Sequence, residues 1–317
     1  MQAYIIKRLL WAIPTLFGAV TVIFLVMNVL PGDIAMVILS EEQSAVDPQQ
    51  LALLREQLGL NRPLYEQYFS WLWGVVRLDL GKSLWTGLPI IEMMWVRLPY
   101  TMSLLVLSVC VSAIIAIPVG VVSALRQDSW LDYGLRSFCI AGLSIPSFWF
   151  GILILLFVVG CFRWFPPLEY APIYKDPWVA IQQLFLPAIA LGYRQSAVAA
   201  RMMRSSMLEV LREDYVRTAR AKGLAERAVV YIHAMKNAIL PVVTIFGMEV
   251  VMLFSTAVII ERIFNIPGVG RLLVDSILNR DIPLAQGVVL FMVTFVLIVN
   301  LLVDLVYAWI DPRIRYH

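Results

Sequence analysis

Long apolar runs alternate with polar segments along this chain, and the runs are long enough to cross a bilayer. A helix needs about 20 apolar residues to span the hydrocarbon core. The runs predict six membrane-spanning helices, of which the fourth is weakest because Arg194 and Gln195 interrupt it. The six predicted spans are Leu9–Leu30, Tyr100–Leu125, Phe138–Phe162, Leu184–Ala200, Ala238–Ile260 and Gln286–Ile310. The first run is longer than the apolar core of a signal peptide, so we interpret it as an uncleaved span.

The segment between the first two spans, residues 31–97, is too polar to cross a membrane. Between Asp47 and Leu60 the apolar residues Leu51, Leu54 and Leu58 recur at helical spacing. Such a pattern predicts amphipathic helices that lie at or above the membrane surface.

Composition supports a membrane protein, because 61% of the 317 residues are hydrophobic and only 15% are charged. About a quarter of a soluble protein is charged. We therefore predict an all-α, polytopic membrane protein with six transmembrane helices and external amphipathic helices. Its three cysteines lack metal-ligand spacing, and its two histidines make a histidine-rich metal site or a histidine-based triad a poor prediction.

The placement of basic residues predicts the orientation. Arg201–Lys236 contains eight basic and four acidic residues, the N-terminus carries Lys7 and Arg8, and the C-terminal end carries Arg313 and Arg315. With six spans, this segment and both termini fall on the same side. Cytoplasmic loops are enriched in Lys and Arg, so that side is predicted to be the cytoplasm. Residues 31–97 then lie outside.

Two glycine-containing stretches resemble nucleotide-binding motifs only superficially. A P-loop needs four residues between its first glycine and its Gly-Lys pair, and Val76 stands where that first glycine would be ahead of Gly81-Lys82-Ser83. Gly268-Val269-Gly270 lacks the third glycine of a dinucleotide-binding loop, because Leu273 stands at that position. We therefore expect no nucleotide binding by this chain, and we predict a turn at the second stretch.

The basic loop, residues 205–237, carries helix signals. Ser206 and Glu209 have the spacing of a capping box, which predicts a helix start, and Gly223 suits a helix end. These signals predict one cytoplasmic helix over Met207–Lys222, with continuation of the fourth span into part of it as the alternative, and a second helix over Glu226–Asn237.

The small residues Ala219 and Ala221 would keep the surface of the first helix shallow, so that another protein could approach closely. An alternative is a loop that only sets membrane topology. Binding of anionic lipid is a weaker alternative, because acidic residues interleave with the basic ones.

Several segments together resemble the permease subunits of bacterial ABC importers. The stretch RTARAKGL at Arg217–Leu224, followed by NAILP at Asn237–Pro241, looks like their ATPase-coupling loop. The resemblance is to the dipeptide, oligopeptide and nickel branch, and to its first, B-type permease subunit. Further matching segments are LPGD (Leu30–Asp33), LGLNRPLYEQY (Leu58–Tyr68), DLGKSL (Asp79–Leu84), the SIPSFWFG region from Ser144, and ERIFNIPGVGRLL (Glu261–Leu273). The general superfamily loop opens Glu-Ala-Ala, whereas here Arg217-Thr218-Ala219 stands there, as in the peptide branch.

The resemblance implies a type I importer permease fold, with residues 1–317 as one transmembrane domain and residues 205–237 as the ATPase-coupling loop. It implies a non-catalytic subunit of the bacterial inner membrane that binds no cofactor, while separate ATPases use ATP and Mg²⁺. The implied partners are a homologous second permease, two ATPase subunits, an external binding protein and membrane lipid, but no nucleic acid. The implied coupling residues are Tyr215, Arg217, Thr218, Ala219, Arg220, Ala221, Lys222, Gly223 and Leu224.

Two charged residues fall within predicted spans, Arg194 in the fourth and Glu249 in the fifth. Charge inside a membrane is costly and marks function or pairing. These residues either line a polar pathway or form a structural pair, with each other or with a partner subunit. The sequence leaves the solute open among dipeptides, longer peptides, glutathione, nickel chelates and sugars. A secondary transporter or channel is the alternative function, and a membrane enzyme would need a clustered nucleophile and base.

Overall fold

The computed structural model describes residues 2–29, 34–42, 47–57, 61–167 and 169–310. Predictions that involve Leu30–Asp33, Leu58–Leu60 and the basic C-terminal end lie outside the described residues, as do the side chains of Lys7 and Arg8.

The regular secondary structure of the described residues is helical, apart from one isolated bridge between Lys82 and Pro89. The first seven helices are α1 (Gln2–Val29), α2 (Ile34–Glu42), α3 (Pro48–Gln57), α4 (Leu64–Val76), α5 (Ile90–Leu125), α6 (Trp130–Ser144) and α7 (Ser147–Phe162). The others are α8 (Pro177–Val210), α9 (Asp214–Ala221), α10 (Glu226–Ala228), a π-helix (Val229–Ala234), α11 (Met235–Ala238), α12 (Leu240–Ile263), α13 (Val269–Leu278) and α14 (Ile282–Ile310). The all-α prediction is confirmed.

Among the described residues, four helices are long and apolar enough to cross a membrane, namely α1, α5, α12 and α14. They coincide with the first, second, fifth and sixth predicted spans. The helix of the second predicted span, α5, begins at Ile90 rather than Tyr100. A charged first turn does not prevent an apolar helix from extending beyond the hydrocarbon core.

The predicted third span is broken, which corrects the prediction of one continuous helix. α6 and α7 meet at 109°, and together they form a fifth candidate span. Pro146 causes the break, since it has no N–H to donate and disfavours helical geometry at the preceding residue. Ile145 accordingly has an extended backbone, with ψ of 124°.

The predicted fourth span lies within the much longer helix α8, which is not among the four apolar helices. Asp176 caps its start, because the carboxylate accepts a hydrogen bond of 3.1 Å from the N–H of Val179. The helix continues through Ser206 and Glu209, so the prediction that they start a new helix is wrong. Buried Met203 and Met207 hold this part of α8 in the core, and that packing outweighs the local cap signal.

The chain divides into two compact units. The main segments of the first are Met1–Pro99 and Pro267–Ile298. In this unit Asp281 is fully buried and accepts hydrogen bonds from the Ser83 hydroxyl and from the backbone N–H of Leu84, the latter at 3.2 Å. These bonds fix the loop before α5 against the start of α14.

The stretch predicted as a turn begins α13 in this first unit. Gly268 precedes its first residue, Val269, which is fully buried beside Ile90 in an apolar cluster. The segment between the fifth and sixth predicted spans therefore contains a helix, rather than only the predicted turn.

The main segments of the second unit are Tyr100–Ile266 and Val299–Arg315, and helix α8 is its centre. Helices α6, α7 and α12 all pack against α8. Small residues permit close contact, and a Cβ added at Gly192 would lie 2.6 Å from the carbonyl oxygen of Ser108. This packing positions both the basic loop and the charged residues of α8.

Candidate functional site

The predicted coupling residues form the short amphipathic helix α9 and its C-terminal turn. Val216 and Ala219 face the core, with 0% and 7% of their surfaces exposed. The remaining predicted coupling residues are exposed: Tyr215, Arg217, Thr218, Arg220, Ala221, Lys222, Gly223 and Leu224. The prediction that Ala219 keeps the outer surface shallow is therefore wrong, because its small side chain packs inward.

Helix α9 is terminated by a turn at Gly223, as predicted. The Gly223 N–H donates to the carbonyl of Arg220 at 2.9 Å, and the Leu224 N–H donates to the carbonyl of Ala219 at 3.4 Å. These two bonds form a Schellman motif, which requires a left-handed residue after the helix. Gly223 has a φ of +75°, and a Cβ built there meets no atom within 4 Å. A side chain at this position would therefore strain the backbone without causing a clash.

A second helical stretch, Glu226–Ala238, supports α9, and its extent confirms the predicted helix over Glu226–Asn237. The Arg220 guanidinium donates two hydrogen bonds to the Glu226 carboxylate, at 2.8 and 3.2 Å. These bonds hold the pKa of Glu226 below its usual value. The Asn237 amide donates to the Tyr215 hydroxyl at 2.8 Å. Two polar contacts thus fix the orientation of α9 against this stretch.

The buried side of α9 shares an apolar cluster with α8. Val216 and Ala219 belong to this cluster together with Met203, Met207 and Val229, all fully or almost fully buried. Protein interiors are close-packed, so such a cluster moves as a unit. A force on the exposed side of α9 would therefore reach α8 directly.

The charged residues predicted within spans line one cavity of about 260 Å³, between α7, α8 and α12. Arg194 is exposed at this cavity and Glu249 is half-buried. The lining of this cavity also includes Gln195, Ser147 and Thr256. The structure thus brings Arg194 and Glu249 together, as the prediction of a shared role requires. In the sequence, Gln195 was interpreted only as an interruption of an apolar run. An amide side chain within a predicted span is itself a signal that could have identified this residue.

A buried ion pair near the start of α6 was not predicted. Arg204 on α8 donates to both carboxylate oxygens of Asp132, at 3.0 and 2.8 Å, and Asp132 is fully buried. The Ser123 hydroxyl also donates to Asp132. The only sequence signal is a carboxylate three residues after the helix cap Ser129, which ordinarily indicates an exposed first turn.

Family comparisons match nearly the whole chain. The family described as "Binding-protein-dependent transport system inner membrane component" matches residues 116–316, and the family that describes the N-terminal region of such a membrane component matches residues 1–105. The chain belongs to this family. It is a permease, and the resemblance to the B-type subunits of the peptide branch is confirmed.

Relatives of similar length support this assignment. An oligopeptide transport system permease of Bacillus subtilis is 40% identical over 319 residues. The match covers 100% of this chain and 100% of that relative. A dipeptide transport system permease of Escherichia coli is 38% identical over 339 residues, with 100% of this chain and 99% of the relative covered. Among solved structures, an amino acid ABC transporter with histidines covers 68% of this chain and 92% of that chain, at 17% identity. Its TM-score is 0.49.

The assignment decides between the predicted functions. Family membership makes this chain a multi-pass transport component, which is not itself catalytic. The comparisons support a permease of a binding-protein-dependent importer and give no support to a secondary transporter or channel.

Proposed function

We propose that this permease forms half of a translocation pathway for peptides or a related small solute, driven by cytoplasmic ATPases that dock on α9. The observation that carries the proposal is the two-sided character of α9. Its inner side is packed into the cluster that contains Met203 and Met207, while Arg217, Arg220 and Lys222 remain at its surface. Short amphipathic helices of this kind bind in grooves of partner proteins.

The proposed assembly contains a homologous second permease, two ATPase subunits and an external binding protein in the bacterial inner membrane. ATP and Mg²⁺ belong to the ATPases, and this chain binds no cofactor. Both termini and residues 205–237 lie in the cytoplasm, and residues 31–97 lie outside. The relatives named for peptide transport support peptides as the solute.

Coupling in this proposal is mechanical. Closure of the ATPase pair moves α9 as a rigid body, because the Schellman turn and the Arg220–Glu226 contact fix its direction. The shared apolar cluster passes the movement to α8, which also carries Arg194. Rigid-body movement of packed helices is a common way to open and close a site.

Retention of the ATPases on the purified permease pair tests the proposal, together with the ratio of peptide uptake to ATP hydrolysis in liposomes. Gly223→Val should loosen the ATPases and uncouple hydrolysis from uptake, because a β-branched residue in the left-handed region costs about 1–2 kcal/mol or more. Gly223→Asn is the matched control, since asparagine tolerates this region.

Charge reversal gives a second arm of the same test. Arg217→Glu and Arg220→Glu should weaken retention, most strongly at low salt, where screening is least. Arg62→Glu makes the same change in the predicted outer segment and should retain the ATPases fully. Full retention and full coupling in Gly223→Val, Arg217→Glu and Arg220→Glu would show that the loop only sets topology.

A further inference from the structure

Three arginines line one cavity of the second unit, between α5, α6 and α8. The cavity has a volume of about 310 Å³. Arg136 lies on α6, whereas Arg201 and Arg204 are one helical turn apart on the same side of α8. Among the described residues that line the cavity, none is acidic. Positive charges around one space repel each other, so this arrangement favours an anion inside the cavity.

Only one of the three arginines has its charge compensated by a described carboxylate. Arg204 donates hydrogen bonds to both oxygens of the buried Asp132. Arg136 and Arg201 are exposed, and within the described residues neither forms an ion pair. The Arg136 guanidinium lies 5.6 Å from the centre of the Tyr133 ring, a contact that uses none of its N–H donors. Two positive charges at the cavity are therefore available to a ligand.

The rest of the lining is mostly apolar. Val119 on α5, together with Leu135 and Ile140 on α6, forms this part of the wall. Ile140 is 57% exposed, so the apolar wall continues onto the outer surface of α6. A ligand that uses the whole cavity therefore has a negative group beside an apolar part. A soluble phosphate could use the arginines but not the apolar wall.

The cavity lies at the end of a membrane-spanning helix. Helix α5 is apolar enough to cross a membrane and ends at Leu125, in the same turn as the cavity-lining Ser123. At the start of α6, Trp130 is 93% exposed and its ring lies edge-on to that of Tyr133. Exposed Trp and Tyr are typical of helices at the membrane–water interface, where lipid headgroups lie. The proposed topology assigns this end of α5 to the cytoplasmic side.

We propose that this cavity binds the phosphate of an anionic phospholipid, with Arg136 and Arg201 as its ligands. The acyl chains of that lipid lie along Leu135 and Ile140. Guanidinium groups bind phosphate oxygens through pairs of hydrogen bonds, and basic pockets between membrane helices bind anionic headgroups. The volume is at the lower end of the roughly 300–1,000 Å³ of small-molecule pockets, which leaves room for one headgroup. The inference goes beyond the proposed function, because it involves neither α9 nor the transported solute.

Photo-cross-linking with two matched lipids tests the site. The whole transporter is placed in lipid nanodiscs that contain photoreactive phosphatidylglycerol or phosphatidylcholine, each with a diazirine at the same acyl carbon near the headgroup. Labelled residues are quantified by mass spectrometry. Both lipids carry a phosphate, but only phosphatidylglycerol has a net negative charge. It should label residues 135–140 at least about fivefold more than phosphatidylcholine, the preference that one arginine near a membrane surface gives.

Charge variants connect this preference to the arginines. Arg136→Gln combined with Arg201→Gln should remove the preference, whereas Arg136→Lys combined with Arg201→Lys keeps the charges and should retain most of it. Arg212→Gln is the matched control, because Arg212 is exposed but does not line the cavity, and it should leave the preference unchanged. If the double glutamine variant fails to assemble, Arg136→Gln alone decides and should lower the preference at least about twofold.

A soluble competitor separates a lipid from free phosphate. Glycerol 3-phosphate carries a phosphate without acyl chains, and at millimolar concentration it should leave labelling by phosphatidylglycerol unchanged. Loss of that labelling would assign the arginines to a soluble phosphate and overturn the inference. Equal labelling by the two lipids, as expected if an ATPase side chain already fills the cavity, would also overturn it. A lipid preference that persists undiminished in the glutamine variants would show that the arginines are not its source, with the same consequence.

Discussion

Breaking the buried ion pair between Asp132 and Arg204 should strongly destabilise the second unit. Asp132 is fully buried, whereas the Arg204 side chain is 21% exposed. The carboxylate accepts two hydrogen bonds from the guanidinium, and others from the Ser123 hydroxyl and the Asp128 N–H. Asp132→Asn keeps the shape of the side chain but leaves the guanidinium without its counter-charge.

The magnitude follows from the burial of the pair. Removing one partner of a buried ion pair costs about 3–5 kcal/mol, because the other charge stays buried and unpaired. The partial exposure of Arg204 places our expectation near 3 kcal/mol, at the lower end of that range. Thermal unfolding of the purified permease in detergent should then shift downward by on the order of 5 °C or more.

A matched control separates burial from charge. Asp214→Asn removes the pair with Arg217. The Arg217 side chain is 75% exposed and the Asp214 side chain is 92% exposed. Exposed pairs contribute about 0–1 kcal/mol, so this variant should unfold close to the parent temperature. Equal shifts in Asp132→Asn and Asp214→Asn would refute the reasoning. Arg204→Gln combined with Asp132→Asn should be less destabilised than the sum of the two single changes.

Three further predictions concern the pathway, the packing and the topology. Glu249→Gln should lower peptide uptake per complex severalfold while assembly survives, and normal uptake would leave Glu249 a structural residue only. Gly192→Ala should destabilise by about 1–3 kcal/mol in thermal unfolding, because its Cβ would lie 2.6 Å from the Ser108 carbonyl oxygen. Gly134→Ala, where a Cβ meets nothing within 4 Å, should instead stabilise by about 0.5–1 kcal/mol, because alanine loses less conformational freedom than glycine in a helix interior. Gln49→Cys should react with a membrane-impermeant maleimide in intact cells, and labelling only from the cytoplasmic side would contradict the six-span topology.

Local signals in the sequence predicted local structure well. The apolar runs located α1, α5, α12 and α14, because helix length and apolar composition are properties of one segment. Gly223 was correctly predicted as a helix end, since the left-handed region is open to few residue types. The family motifs also predicted the function, because each short motif contains the residues of one functional surface.

Non-local contacts explain what the sequence did not predict. Ser206 and Glu209 have the spacing of a helix start, but burial of Met203 and Met207 carries α8 through them. Asp132 and Arg204 are separated by 72 positions, so no local pattern indicates their pairing. The cavity of Arg194, Gln195 and Glu249 likewise requires three separate helices to be placed together. Such sites depend on packing that periodicity alone does not encode.

The central claim is that the exposed side of α9 contacts a cytoplasmic ATPase. Its most direct test is a photo-reactive amino acid at Lys222, compared with one at Gln49 on α3, in membranes that contain the whole transporter. Our account predicts an ATP-protected or ATP-altered cross-link from position 222 to an ATPase subunit, and none to that subunit from position 49. A Lys222 cross-link only to an external protein, or ATPase cross-links of equal yield from both positions, would contradict it.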